Sequence, residues 1–108
     1  MRDPHDFFEH HVPKTLARIQ KRLPDGVVVA FTISGSGGGA WQLNPSRLSV
    51  GPIDGAPKDC EVFCSSVDFM DILNGALSPQ VAFESGRLQI VGDVGLIIKL
   101  RRLFLRAA

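Results

Sequence analysis

Residues able to do chemistry fall into a few groups along this chain. His5, Glu9, His10 and His11 lie near the N-terminus, where imidazoles and a carboxylate could hold a metal ion or move a proton. His10 and His11 are adjacent, so on a helix their side chains diverge by about 100° and chelate one ion poorly. They read as solvated helix surface, and no metal site is expected. Cys60 and Cys64 are the only cysteines. Their spacing is not that of a Cys-x-x-Cys redox or zinc pair. On a strand they leave one face two pleats apart, too far to bridge, so buried free thiols are expected. Gly35-Ser36-Gly37-Gly38-Gly39 has the composition of a phosphate-cradling loop. Neither a helix nor a Lys-Ser/Thr pair follows it, and it reads as a mobile hairpin turn. Ser65 and Ser66 lack a nucleophile-elbow setting and a recognisable His–acid partner. The chain is therefore read as a non-enzyme, with no catalytic residue and no cofactor.

The bulk properties agree with that reading. A length of 108 residues fits one domain, able to fold without disulfides or metal. A net charge of +1 gives no electrostatic pull toward nucleic acid. No apolar run approaches the roughly 18 residues of a membrane span. The charged N-terminus is unlike a secretory signal, and Arg106-Ala107-Ala108 is not a peroxisomal address. A cytoplasmic location is the default expectation.

The elements that must position the side chains are punctuated clearly. Phe8, Val12, Leu16, Ile19 and Leu23 recur at helical spacing, making residues 1–24 an N-terminal helical segment that starts at Asp3-Pro4. Pro13 predicts a kink, or a restart that leaves Val12 outside the second part. Val27 to Ile33, Ala40 to Leu43, Arg47 to Val50, Cys60 to Cys64 and Arg87 to Val91 read as strands. Ser65 with Asp68 resembles a capping box ahead of a helix ending at Gly75. Ser78-Pro79 opens another helix that stops at Gly86, and Asp93 caps the last one. The order predicts an α+β fold, a mostly antiparallel sheet of five strands covered by helices.

The last helix carries more apolar surface than one packed side requires. Leu96, Ile97, Leu100, Leu103 and Phe104 form one broad arc, continued by Val94, Ile98 and Leu105. The arc spans on the order of 200°, about twice that of a helix packed on one side. One side can pack on the sheet; the other needs another helix, a second subunit, a membrane or a bound lipid.

Pro79, Phe83, Gly86, Leu88, Ile90, Gly92, Asp93, Gly95, Leu96, Lys99 and Leu100 together resemble the hallmark of the sterol carrier protein type 2 family, here in the manner of its bacterial stand-alone members. That hallmark is a Pro-x-x-x-Phe helix, a Gly-Lys-Leu-x-Ile strand, and a Gly-Asp step into a Gly-Leu-rich helix. Cys60 to Gly75 and the hairpin from Phe31 to Trp41 extend the likeness, which covers most of residues 27–104 of a single domain 1–108. Arg87 stands where the family has Lys, and Ile97 where it often has Ala, which would narrow or reshape the tunnel. The resemblance implies an apolar tunnel enclosed between sheet and helices. It implies non-catalytic binding and carriage or presentation of a lipid of sterol, fatty acyl or isoprenoid quinone type.

The tunnel implied by the resemblance would lie between the sheet and the last two helices. Its expected lining is Phe31, Ile33, Trp41, Phe69, Met70, Leu73, Phe83, Ile90, Leu96, Ile97, Leu100 and Phe104. Plain core packing is the competing role for each. Arg101 and Arg102 are expected to meet a lipid head group or an anionic membrane, against helix-dipole compensation as the other reading. The partners implied are a lipid ligand, transient contact with a membrane or a lipid-modifying enzyme, and a homodimer as a further option. The rival function is a structural or dimerisation domain of the same fold with a collapsed cavity.

Overall fold

The computed structural model describes residues 3–101. The N-terminal segment is one helical rod built of four pieces. α1 (Pro4–Asp6) leads into a π-helical turn (Phe7–His11), then α2 (Val12–Ile19), then a 3-10 turn (Gln20–Arg22). Asp3 caps the start, its carboxylate accepting from the Asp6 N–H at 2.9 Å. Pro13 does not eject Val12, which opens α2 and is fully buried. The reason is the wider turn just upstream. A proline ring collides with the carbonyl four residues earlier in a regular helix. Here the Val12 N–H bonds the Phe7 carbonyl five residues back, which loosens the coil where the ring must fit.

The sheet contains β1 (Val29–Ser34), β2 (Gly39–Asn44), β3 (Ser49–Gly51), β4 (Cys60–Ser65) and β5 (Leu88–Gly92), in the order β3-β2-β1-β4-β5. All pairs are antiparallel except the central β1–β4 pair, which is parallel in the register Phe31↔Val62. The expected α+β fold with a mostly antiparallel sheet is thus present. A short 3-10 turn (Pro45–Arg47) precedes β3 and puts Leu48 in the left-handed region at φ 51°. α3 (Ser66–Leu73), α4 (Pro79–Glu84) and α5 (Val94–Leu100) are the remaining elements among the described residues. Their N-caps are the side chains of Ser65, Ser78 and Asp93, each accepting a backbone N–H of the first turn.

Alternation along the strands gives the sheet two unlike faces. Val29, Phe31, Ile33, Trp41, Leu43, Cys60, Val62, Cys64 and Leu88 are buried on the face that the helices cover. The other face carries Ala40, Gln42, Phe63, Gln89 and Val91, largely open. One loop folds across that open face. Asp54 and Gln42 exchange two hydrogen bonds of 3.2 Å, and the Lys58 ammonium reaches the Asp54 and Ala56 carbonyls.

Asp59 joins three elements at the base of the sheet. Its carboxylate accepts from the Val28 N–H at 2.8 Å, and its own N–H donates to the Val28 carbonyl at 2.9 Å. Its carbonyl accepts from the Asp93 N–H at 3.0 Å. The start of β1, the start of β4 and the cap of α5 therefore meet at one residue. Gly92 lies against it at φ 103°, where an added Cβ would come within 2.5 Å of the Asp59 carbonyl oxygen. Only glycine fits there.

Candidate functional site

The helix-covered face divides into an aromatic half and an aliphatic half. On the aromatic half, the N-terminal rod inserts Phe7 and Phe8 between the sheet and α3. Phe8 stacks on Trp41 at 4.5 Å between centroids, lies 5.1 Å from Phe31 and 5.5 Å from Phe69. Phe7 meets Phe69 edge-on at 5.4 Å and Phe8 at 5.0 Å. Both phenylalanines are fully buried. Gly39 makes this possible on the strand side, because a Cβ there would press to within 2.9 Å of the Trp41 ring. On the aliphatic half, α3 and α5 pack on β4 and α4 packs on β5. Leu73, Ala82, Leu88, Leu96 and Leu100 are buried there, with Met70, Ile90 and Ile97 half-buried against them.

The predicted lining residues are distributed over both halves. Phe31, Ile33, Trp41, Phe69, Leu73, Leu96 and Leu100 are in the buried core, and Met70, Ile90 and Ile97 pack at its margin. Phe83 stands apart at 44% exposure, because the six-residue α4 turns the small Ala82 inward instead. Phe104 and Arg102 lie outside the described residues. Arg101, at the C-cap of α5, is exposed. The exposed stripe of α5 continues through Val94 at 39% and Ile98 at 64%.

An open cleft of about 360 Å³ lies away from the last two helices, between the N-terminal rod and β2–β3. Phe8, Glu9 and Pro13 form its helix wall, and Ala40, Trp41, Val50, Gly51 and Pro52 form its strand wall. Of the lining residues read from the sequence, Trp41 borders this cleft. Among the described residues its one charged lining residue is Glu9, which His5 approaches. The His5 ring nitrogens approach Glu9 Oε2 at 3.1 Å and the Gly38 carbonyl at 3.0 Å. The hydrogen bond to Glu9, then that to Gly38, raises the His5 pKa above 6.5.

Covalent chemistry finds no support at the thiols. Cys60 and Cys64 are buried and free, as their spacing predicts. Burial pushes both up to about 11, reinforced at Cys60 by the charges of Asp93, Glu61 and Asp59 and at Cys64 by that of Asp68. A thiol held that high stays protonated at neutral pH and is a poor nucleophile. Among the described residues no group of His, Cys, Asp and Glu side chains is placed to hold a metal ion. Among them, too, no helix is long and apolar enough to cross a membrane.

Several residues that shape the site were not legible as such in the sequence. Phe7 is adjacent to Phe8, and a regular helix would point the two about 100° apart. Both are buried because the rod sits in an angle, one ring facing α3 and the other facing β2. The only local signal is Pro13, which marks the coil as irregular. The glycine-rich turn, expected to be mobile, is held from two sides. His5 reaches the Gly38 carbonyl, and Gly35 lies so near Ser66 that an added Cβ would be 3.1 Å from its Oγ.

Comparison with known proteins fits this architecture. Residues 10–105 match the SCP-2 sterol transfer family. The chain is 36% identical over 101 residues to human hydroxysteroid dehydrogenase-like protein 2, a match covering 85% of this chain and 24% of the relative. The chain thus spans about a quarter of that relative's length. The solution structure of sterol carrier protein domain 2 of Helicoverpa armigera superposes with a TM-score of 0.67 at 27% identity, over 97% of this chain and 91% of that one. Palmitated SCP2L2 from Aedes aegypti shares the fold, with a TM-score of 0.70 at 21% identity over 94% of each chain. Sheet order, capped helices and sequence together give one conclusion: the chain belongs to the SCP-2 sterol transfer family.

Proposed function

We propose that this chain is a non-catalytic lipid-binding module, holding one apolar ligand on the helix-covered face of the sheet beneath α3 and α5. The observation that carries the reading is the unequal packing of that face within an SCP-2 family member. The aromatic half is closed by stacked rings, while Met70, Ile90 and Ile97 at the aliphatic half remain half-buried. Apolar residues in that state gain further burial if an acyl or polyprenyl chain enters beside them. Each ligand methylene removed from water contributes about 0.8 kcal/mol. That Aedes SCP2L2 was solved with palmitate supports a fatty acyl chain as the first ligand class to try.

Exchange of ligand requires α5 to move. Its described part is short, seven residues held by one side-chain cap, so local opening there costs little. Lys99 and Arg101 are exposed near its end, beside the apolar stripe of Val94 and Ile98. In this reading they meet the anionic surface from which lipid is taken, each charge adding on the order of 1 kcal/mol near such a membrane.

A second reading is favoured by the same exposed stripe. Val94 and Ile98 stand 39% and 64% exposed on α5, where a second copy of the chain could cover them. Native mass spectrometry of freshly purified protein, with organic extraction of bound material, separates the two. One lipid per chain supports the carrier. A ligand-free dimer, unchanged after incubation with palmitate, sterol and ubiquinone, would replace it with the interaction domain.

A further inference from the structure

The two partners of His5 impose a charge state on it. His5 Nδ1 lies 3.1 Å from Glu9 Oε2, and Nε2 lies 3.0 Å from the Gly38 carbonyl oxygen. A carboxylate and a carbonyl can only accept hydrogen bonds. Both ring nitrogens must then donate, which only the imidazolium can do. A neutral ring can donate only one of the two; the carboxylate is the stronger acceptor and holds the remaining proton on Nδ1, so the bond to the Gly38 carbonyl is the one lost. The ring also meets Trp41 edge-on, at 4.8 Å and 81°.

Of these partners Glu9 lines the cleft, and Gly38 lies just before the residues of its opposite wall. Glu9 belongs to the helix wall, with Phe8 and Pro13; Trp41 and Ala40 belong to the strand wall, just after Gly38. The turn itself is tight and close-packed. Asp3 Cβ lies 3.9 Å from where a Cβ on Gly37 would be, and a Cβ on Gly38 would fall 2.1 Å from the Ile33 carbonyl oxygen. His5 ties this close-packed turn to the helical rod through the Gly38 carbonyl.

We propose that His5 is a proton-operated strap: its imidazolium clamps the β1–β2 turn to the N-terminal rod, and its deprotonation frees the turn and widens the cleft beside Trp41. The charged groups facing His5 are Glu9 and Asp3, both on its own helical segment. From the turn and β2, residues 34–41 contain no titratable side chain, so the Gly38 carbonyl and the Trp41 ring are what His5 meets there. His10 is engaged elsewhere, 3.1 Å from Asp6. His11 stacks on Phe7. The direction follows from the partners. A histidine pKa raised in the folded state stabilises the strapped form fully below about 6.5, its unfolded value, and the contribution is lost as pH rises through the folded value. The strap therefore releases only above the ordinary histidine value, as pH rises through the raised folded one. It is independent of where lipid binds.

Trp41 is the chain's single tryptophan, so its emission comes from this end of the cleft and no other part of the domain. The test follows Trp41 fluorescence and the amide resonances of Gly37 to Ala40 from about pH 5 to about pH 9, a range that brackets histidine titration. One transition shared by both readouts is expected, with its midpoint above 6.5. It should vanish in His5→Gln, shift toward 6.5 in Glu9→Gln and persist unchanged in His10→Gln. His5 is exposed, so the substitution leaves the core intact, which circular dichroism checks. A midpoint at or below 6.5, a transition surviving in His5→Gln, or turn amides that do not follow Trp41 would overturn the strap.

Discussion

Replacing Ile97 with Ala separates a ligand cavity from a plain core. Ile97 sits on α5 and is half-buried against the central cluster. The substitution removes three carbons, worth about 2.4 kcal/mol if fully buried and about half that here. The unliganded protein should lose on the order of 1 kcal/mol, lowering Tm by roughly 4–8 °C for a domain of this size. If an acyl chain lies beside Ile97, the vacated space admits more of it. Arachidate, four carbons longer than palmitate, should then gain up to about 2 kcal/mol in affinity over wild type, near thirtyfold, while palmitate gains less. The assay is competition of each fatty acid against a fluorescent fatty acid, with Ile97→Val as an intermediate. A variant that is merely less stable, with the order of chain-length preference unchanged, refutes the placement of ligand under α5.

Other substitutions test the framework. Phe8→Ala removes a fully buried ring in contact with Trp41, Phe31 and Phe69, and should cost about 3–5 kcal/mol in urea unfolding, a large share of the stability of such a domain. Gly92→Ala should cost well over the ~1 kcal/mol typical of Gly86→Ala, because both have positive φ but only Gly92 abuts a neighbouring backbone. Native protein at pH 8 should leave Cys60 and Cys64 unmodified by a disulfide reagent, and both should react once urea exposes them, since burial holds each pKa at about 11. Asp54 has its pKa lowered by the Ala56 N–H and then by Gln42, so its contribution is present above its unfolded value and lost as pH falls through the lower folded one. Acid titration by NMR should show the 52–58 loop leaving the sheet at that step, and Gln42→Ala should move the step upward.

Much of the fold was legible because local chemistry and global position agree. Ser65, Ser78 and Asp93 could be read as helix caps from type and neighbours alone, and each caps in the structure. The alternation of Val29, Phe31 and Ile33 gave the buried face directly. What escaped was long-range. Nothing near β1 or β4 announces that the two run parallel, because the pairing is decided by a partner far along the chain. Asp59 looks like any loop aspartate until Val28 and Asp93 meet it. The π-helical turn was visible only as a problem at Pro13, not as its solution. For the site, side-chain type identified apolar candidates but could not divide them between the ring-packed half and the half-buried margin. Phe83 illustrates the limit: an aromatic at a family position, turned outward because Ala82 holds the inward place.

The junction at Asp59 gives α5 the mechanics of a lever. Its cap is pinned through the Asp93 N–H to the base of the sheet, while the helix extends away from that point. Seven residues make an arm of about 10 Å, so a rotation of roughly 20° about the pin sweeps the far end by ~3.5 Å, close to the width of a methylene chain. The backbone that must twist is at Gly92, the last residue of β5, and at Asp93. Opening of this kind leaves the ladder between β1 and β4 untouched. A small angular change at the fulcrum thus becomes a ligand-sized displacement at Leu100, with the rest of the domain acting as the fixed frame.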